Sequence, residues 1–183
     1  SNDEIISNNK FLSYRERDLR TDNDTVNYVF EGYKVYQLVN SAVSTQDLDD
    51  VSKARLILQT DIKNGITEIF NWTADKNPYE GNPNQPSLLW KATRKVAGAD
   101  KGLQSTINVL EDQFAKGDRR LVNHKQYHFI VLAYAHNNYL EFNPETVLGQ
   151  RTPYLEGRGN VERYTFTPRP IVYDNLNAVY GEG

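Results

Sequence analysis

Three histidines occupy even positions of one predicted strand, and this spacing is where metal chemistry could arise. His124, His128 and His136 are the only histidines in the chain, and imidazoles on a shared face are potential zinc ligands. A strand advances ~3.3 Å per residue, so His128 and His136 would stand ~26 Å apart, too far for one ion. We therefore predict no histidine metal site.

Composition limits nucleophilic and redox chemistry. The chain has no cysteine, which excludes disulfides, catalytic thiols, iron–sulfur clusters and cysteine-bound zinc. The sequence contains no phosphate-binding glycine loop, no dinucleotide-binding glycine motif and no serine–histidine–aspartate context. Because there are 24 acidic residues, some carboxylate pair will reach glycosidase spacing by chance. We expect no enzymatic activity and no cofactor.

Two loops are rich in carboxylates. One spans residues 22–24, and the other contains Asp47, Asp49 and Asp50. Oxygen-rich loops can bind calcium, although neither has the spacing of an EF-hand. Asp and Asn are equally the usual residues of turns and helix caps. The sequence leaves both interpretations open.

Four aromatic residues lie in or beside predicted loops: Trp72, Tyr79, Trp90 and Tyr154. Exposed aromatic rings can stack on sugars or anchor a protein partner. Alternatively, these rings form a small core of their own that covers the strongest strand. They are the candidate binding residues of the chain.

The elements that position these residues are predicted to be strands. Runs 28–38 and 54–61 combine aromatic and branched residues. Asn64-Gly65 is a strong hairpin signal, so the chain should reverse there and pair 54–62 with 66–72. The strongest strand is 125–136, and a last strand spans 161–167.

Other segments carry weaker signals. Ser44 and Asp47 indicate a cap and one helical turn. Residues 75–86 are a proline- and glycine-rich loop, whereas 87–97 has apolar residues at helical spacing and is predicted to be a short helix. A strand is expected over 103–110 and a helical turn over 111–116.

Strand 125–136 is apolar on both faces in its middle. A half-exposed strand would be polar on one face. We therefore expect Ile130, Leu132 and Tyr134 to be covered, either by the 62–118 region or by the long 137–160 loop.

Strand 125–136 also resembles strand F of a fibronectin type III domain. Leu121, followed six residues later by Tyr127-His128-Phe129-Ile130-Val131-Leu132-Ala133, matches the family's Leu and Y-x-F-x-V-x-A pattern. The resemblance implies an all-β, immunoglobulin-like β-sandwich. It also implies a structural tyrosine corner, in which the Tyr127 hydroxyl bonds backbone within 121–123.

Further segments extend the resemblance to about half of the chain. Gly32-Tyr33-Lys34-Val35-Tyr36 is similar to strand C, residues 54–61 stand where C′ belongs, 105–110 where E belongs, and 161–168 resembles strand G. No Trp precedes Trp72, so strands A and B are expected to be short or incomplete. The chain 1–183 is thus interpreted as one decorated domain, with an insertion over 62–103 and a long F–G loop over 137–160.

The sequence also carries information about the cellular location and the partners of the chain. The chain has no Met, and its sequence style is similar to large secreted or surface proteins of gliding-type Gram-negative bacteria, often exported by the type IX route. We therefore expect a piece of a longer extracellular or cell-surface protein. A net charge of −3 disfavours nucleic acid as a partner, and no apolar run is long enough to enter a membrane.

The predicted function is a non-catalytic interaction, spacer or assembly module. Its partner would be an unknown protein, a glycan or a flanking domain of the same polypeptide. The alternative is an accessory carbohydrate-binding module that uses the loop aromatics.

Overall fold

The computed structural model describes residues 15–17, 26–77, 88–157 and 161–170, and these residues form an all-β fold with two antiparallel sheets. A 3₁₀ turn spans Thr45–Asp47. The strands are β1 (Arg15–Arg17), β2 (Asn27–Leu38), β3 (Ala54–Asp61), β4 (Glu68–Lys76), β5 (Leu88–Ala97), β6 (Tyr127–His136), β7 (Tyr154–Glu156) and β8 (Glu162–Phe166).

The first sheet is built around the long antiparallel pair β2 and β6, with Tyr36 opposite Ile130. Strands β1 and β3 pair with the other edge of β2, one after the other. Strands β7 and β8 share the free edge of β6 in the same way. The sequence predicted β2, β3, β6 and β8 correctly, because each has a strong local strand pattern.

The second sheet is the β4–β5 hairpin, which packs over one end of the first sheet. Ile69 and Val96, paired across the hairpin, are fully buried against Tyr134 and Tyr154. The amide of Trp72 also donates to the carbonyl of Arg151. One end of the hairpin is therefore anchored in the core.

The inner face of β6 is covered, as its apolar pattern predicted. Ile130, Leu132 and Tyr134 are at most 1% exposed. Only Tyr134 is covered by the predicted 62–118 region; Ile130 and Leu132 cluster instead with Val43 and Leu48 of the β2–β3 connection.

The hairpin predicted at Asn64-Gly65 is wrong. Strand β3 pairs with β2, and β4 pairs with β5, so the chain passes here from one sheet to the other. Gly65 does adopt a positive φ of 86°. However, the Asn64 side chain donates to Glu31 and accepts from the Ile66 amide, which fixes a bend between sheets instead of a two-residue reversal.

The helix predicted over 87–97 is also wrong, since this segment forms β5. Its helical spacing of apolar residues is overridden because the backbone of β4 supplies a full ladder of hydrogen-bonding partners.

The segment 103–110 contains no strand, so the strand predicted there, and with it the placement of strand E at 105–110, is wrong. Its start is held by Thr60, whose hydroxyl accepts from the Gln104 amide and donates to the Gly102 carbonyl. The helical turn predicted over 111–116 is a non-helical turn.

Candidate functional site

Trp72 and Trp90 come together on one face of the β4–β5 hairpin. Trp72 pairs with Ala92, and Trp90 pairs with Ala74, so both rings project from the same side. Phe142 lies between them, with ring centroids 5.3 Å from Trp72 and 4.9 Å from Trp90. Phe142 is buried, whereas both tryptophans are half-buried. We call these three rings the aromatic cluster.

The loop that delivers Phe142 is closed by local hydrogen bonds. The Asn143 side chain accepts from the amides of Glu145 and Thr146, and the Asn143 amide donates to the Leu148 carbonyl at 2.9 Å. Gly149 has a φ of +100°, and a Cβ there would press on the backbone of Glu141. The loop can therefore fold back only with glycine at this position.

A cavity of about 240 Å³ adjoins the aromatic cluster. Alternate residues of β4 form one wall, because side chains two apart on a strand share a face. The end of β6 and the loop after it form the other wall. We call this cavity the Trp72 pocket. Its lining includes Glu68, Phe70, Trp72, His136, Asn138 and Glu141.

The polar side chains of the pocket differ in whether they already have a bonding partner. Glu68 pairs with Arg94 at 3.1 Å. By contrast, the side chains of His136, Asn138 and Glu141 make no hydrogen bond to another residue in the described part of the chain. Burial lowers the pKa of His136, so its imidazole is neutral at pH 7 and can both donate and accept.

The other candidate binding aromatics do not join this group. Tyr154 is buried against Tyr134 in the core, and its hydroxyl donates to Glu156 at 3.2 Å. Tyr79 lies outside the described residues. Of the four residues singled out from the sequence, the structure brings together Trp72 and Trp90.

Tyr127 is buried, and its hydroxyl accepts a hydrogen bond of 2.8 Å from the amide of Val122. This contact falls within the predicted 121–123 segment. Leu121 is half-buried beside it. The amide of His124 donates to the carbonyl of Pro168, which links the same turn to the end of β8.

The three histidines are dispersed. His124 lies in an exposed turn with φ 66°, His128 contacts Thr165 on β8, and His136 lines the Trp72 pocket. Among the residues that the structure describes, no group of three His, Asp or Glu side chains is arranged to hold a metal.

Asp47 and Asp50 of the acidic loop at 47–50 stabilise a cap and a turn through hydrogen bonds to nearby residues. Asp47 accepts from the amide and hydroxyl of Ser44 and pairs with Lys53 at 2.6 Å, which holds the pKa of Asp47 well below its usual range. Asp50 accepts from the amide and hydroxyl of Ser52. The loop at 22–24 lies outside the described residues.

Sequence reasoning missed a buried lysine between the sheets. Lys34 of β2 donates to the carbonyl of Lys95 on β5, and its ammonium lies 4.5 Å from the ring centroid of Tyr154 and 5.7 Å from that of Tyr134. Burial lowers its pKa to about 8. The only signal was a cation at an inward position of a confident strand.

A second missed group surrounds Glu31, in the β2 segment where the pairing with β6 shifts register. Burial raises the pKa of Glu31 to about 7, an effect opposed by the Asn64 amide and reinforced by Asp61 and Asp100. Asp61 is buried and accepts from the amide of Asp100. Hydrogen bonds among these residues engage their side chains, so we interpret the group as part of the structural framework.

No family model, no curated protein and no solved structure matches the chain. Within the part of the chain that the structure describes, no helix is long and apolar enough to cross a membrane.

Proposed function

We propose that the chain is a non-catalytic interaction and assembly module, a fibronectin type III-like domain of a larger secreted or cell-surface protein. The antiparallel order β3-β2-β6-β8 supports the domain assignment, since it matches the C′-C-F-G order that the resemblance implies. The contact of Tyr127 with Val122 supports it further. The sequence style supports the extracellular placement.

The end of the β4–β5 hairpin is the observation that carries the interaction role. Leu88 and Leu89 are 43% and 44% exposed. As neighbours on a strand they point to opposite faces, so each face of the hairpin end carries one exposed leucine, next to Lys76 on one face and Asp75 on the other. A two-stranded ribbon is marginal in water without cover, and a second copy of the chain can supply that cover.

Sedimentation velocity over a hundredfold range of concentration tests this role. We expect the wild-type chain to self-associate as its concentration rises, and the double variant Leu88→Ser, Leu89→Ser to stay monomeric. The matched control is Val51→Ser, Leu110→Ser, which removes two apolar side chains of greater exposure away from the hairpin. A wild-type chain that is monomeric throughout would contradict assembly through this surface.

The Trp72 pocket favours a second candidate, an accessory carbohydrate-binding module. Both tryptophans lie beside the pocket, so their emission reports on binding there. Titration with a panel of soluble polysaccharides should give a saturable shift if this candidate is correct. A flat response across the panel would reject it, and hydrolysis of any glycan at an enzyme-like rate would overturn both candidates.

A further inference from the structure

We propose that the Trp72 pocket binds one neutral pyranose ring of a saccharide, which packs on Trp72 and hydrogen-bonds to His136, Asn138 and Glu141. This inference rests on the carbohydrate-binding candidate and specifies its site and ligand class. It does not depend on assembly through the hairpin end.

The size of the pocket indicates one ring. Its volume of about 240 Å³ falls below the roughly 300–1,000 Å³ typical of drug-sized ligand sites. A longer saccharide would therefore place a single unit inside and leave the rest in solvent.

The walls supply the apolar contact that a sugar ring needs. Trp72 and Phe70 project from the same face of β4, and part of each ring surface remains accessible. The negative face of an aromatic ring attracts the positively polarised C–H groups of a pyranose. Phe142 contacts Trp72, with ring centroids 5.3 Å apart, so the indole is held in place before a ligand arrives.

The polar groups select a ligand with both donors and acceptors. Neutral His136 and Asn138 can each donate and accept, and Glu141 accepts. An apolar ligand would bury these groups without partners, which is costly. An anionic sugar would face the carboxylates of Glu141 and Glu68, and among the residues that the structure describes only Glu68 is paired with a cation. Hydroxyl groups of a neutral sugar satisfy all three unpartnered side chains.

Calorimetric titration with neutral cello-, manno- and xylo-oligosaccharides tests the assignment. We expect saturable binding of at least one series, and roughly fivefold weaker binding for Asn138→Ala and for Glu141→Ala, the effect of one hydrogen bond each. Both positions are exposed, so both variants should fold, which circular dichroism checks. Oligogalacturonate, the anionic probe, should not bind.

Matched controls come from the same chain. Glu145→Ala lies in the same loop and Asn108→Ala lies far along the chain, both at exposed positions outside the pocket, and both should bind as the wild type does. Absence of binding by every neutral series overturns the inference. Binding that Asn138→Ala and Glu141→Ala leave unchanged also overturns it, while leaving a carbohydrate-binding role elsewhere on the chain. The self-association experiment reports separately on the assembly role.

Discussion

At the scale of single residues, the hydroxyl of Tyr127 is the clearest structural contact. The Tyr127 ring is buried, and its hydroxyl accepts from the Val122 amide in a part-buried hydrogen bond. Tyr127→Phe leaves that amide without an acceptor, so we expect the free energy of unfolding to fall by about 1–2 kcal/mol. Urea unfolding measures the change. Tyr139→Phe, at an exposed position, is the control and should cost almost nothing; equal costs for the two variants would contradict the prediction.

Glu31 gives a prediction about pH. Its pKa is raised from 4.5 to about 7 in the folded protein, so between these values the folded state binds the proton more tightly than the unfolded chain. The free energy of unfolding should therefore decrease as pH rises through this window. Glu31→Gln removes the titration, and at pH 8 we expect it to be about 2–3 kcal/mol more stable than the wild type.

Urea unfolding at several pH values checks this prediction. The difference between Glu31→Gln and wild type should nearly vanish below pH 4.5, where the wild-type carboxyl is protonated in both states. Glu145→Gln, a change at an exposed carboxyl, should follow the wild-type profile. A difference that does not vary with pH would refute the assigned role of Glu31.

At the scale of elements, the β4–β5 hairpin has an anchored end and a free end. Ile69 is 2% exposed in the core, whereas Leu89, near the other end, is 44% exposed. We expect Ile69→Ala to destabilise the protein by about 2–4 kcal/mol, because it leaves a cavity against Tyr134. At concentrations where the chain is monomeric, Leu89→Ala should cost less than about 0.5 kcal/mol.

Unfolding monitored by tryptophan emission measures both variants, since Trp72 and Trp90 lie on this hairpin. If Leu89→Ala costs the monomer as much as Ile69→Ala does, the hairpin end is packed within a single chain and the assembly surface is misassigned.

At the scale of the whole molecule, Lys34 connects the two sheets through the Lys95 carbonyl. Its pKa falls from 10.5 to about 8, so the unfolded chain holds the proton more tightly between these values. The free energy of unfolding should thus rise with pH there. A buried cation replaced by an apolar side chain of similar size is often neutral or stabilising.

We therefore expect Lys34→Met to be at least as stable as the wild type at pH 7, with its advantage shrinking as pH rises from 8 to 9.5. Urea unfolding across that range measures the difference, and Lys91→Met at an exposed position serves as the control. A large loss of stability at pH 7 would show that the Lys34 contact holds the sheets together more strongly than its burial opposes it.

The candidate site was only partly predictable from the sequence. Trp72 and Trp90 were identifiable because large aromatic residues are conspicuous, although the sequence analysis expected them in or beside loops and the structure places them in strands β4 and β5. His136 was weighed only as a metal ligand, and Asn138, Glu141 and Phe142 were not identified, since the 137–160 segment has no periodic pattern. These residues come together in space only because the loop folds back, which requires the Asn143 hydrogen bonds and the positive φ of Gly149.

The positions of the main strands follow from local sequence patterns. In 28–38, 54–61 and 125–136, branched and aromatic residues favour extended backbone locally, and the structure has strands there. The pairing of the strands, by contrast, depends on contacts between distant segments of the chain. Segment 88–97 became a strand because β4 lies beside it, and Asn64-Gly65 became a crossing between sheets because Glu31 holds it. A ladder needs a backbone partner, and that partner is chosen by packing among distant segments, which no local pattern records.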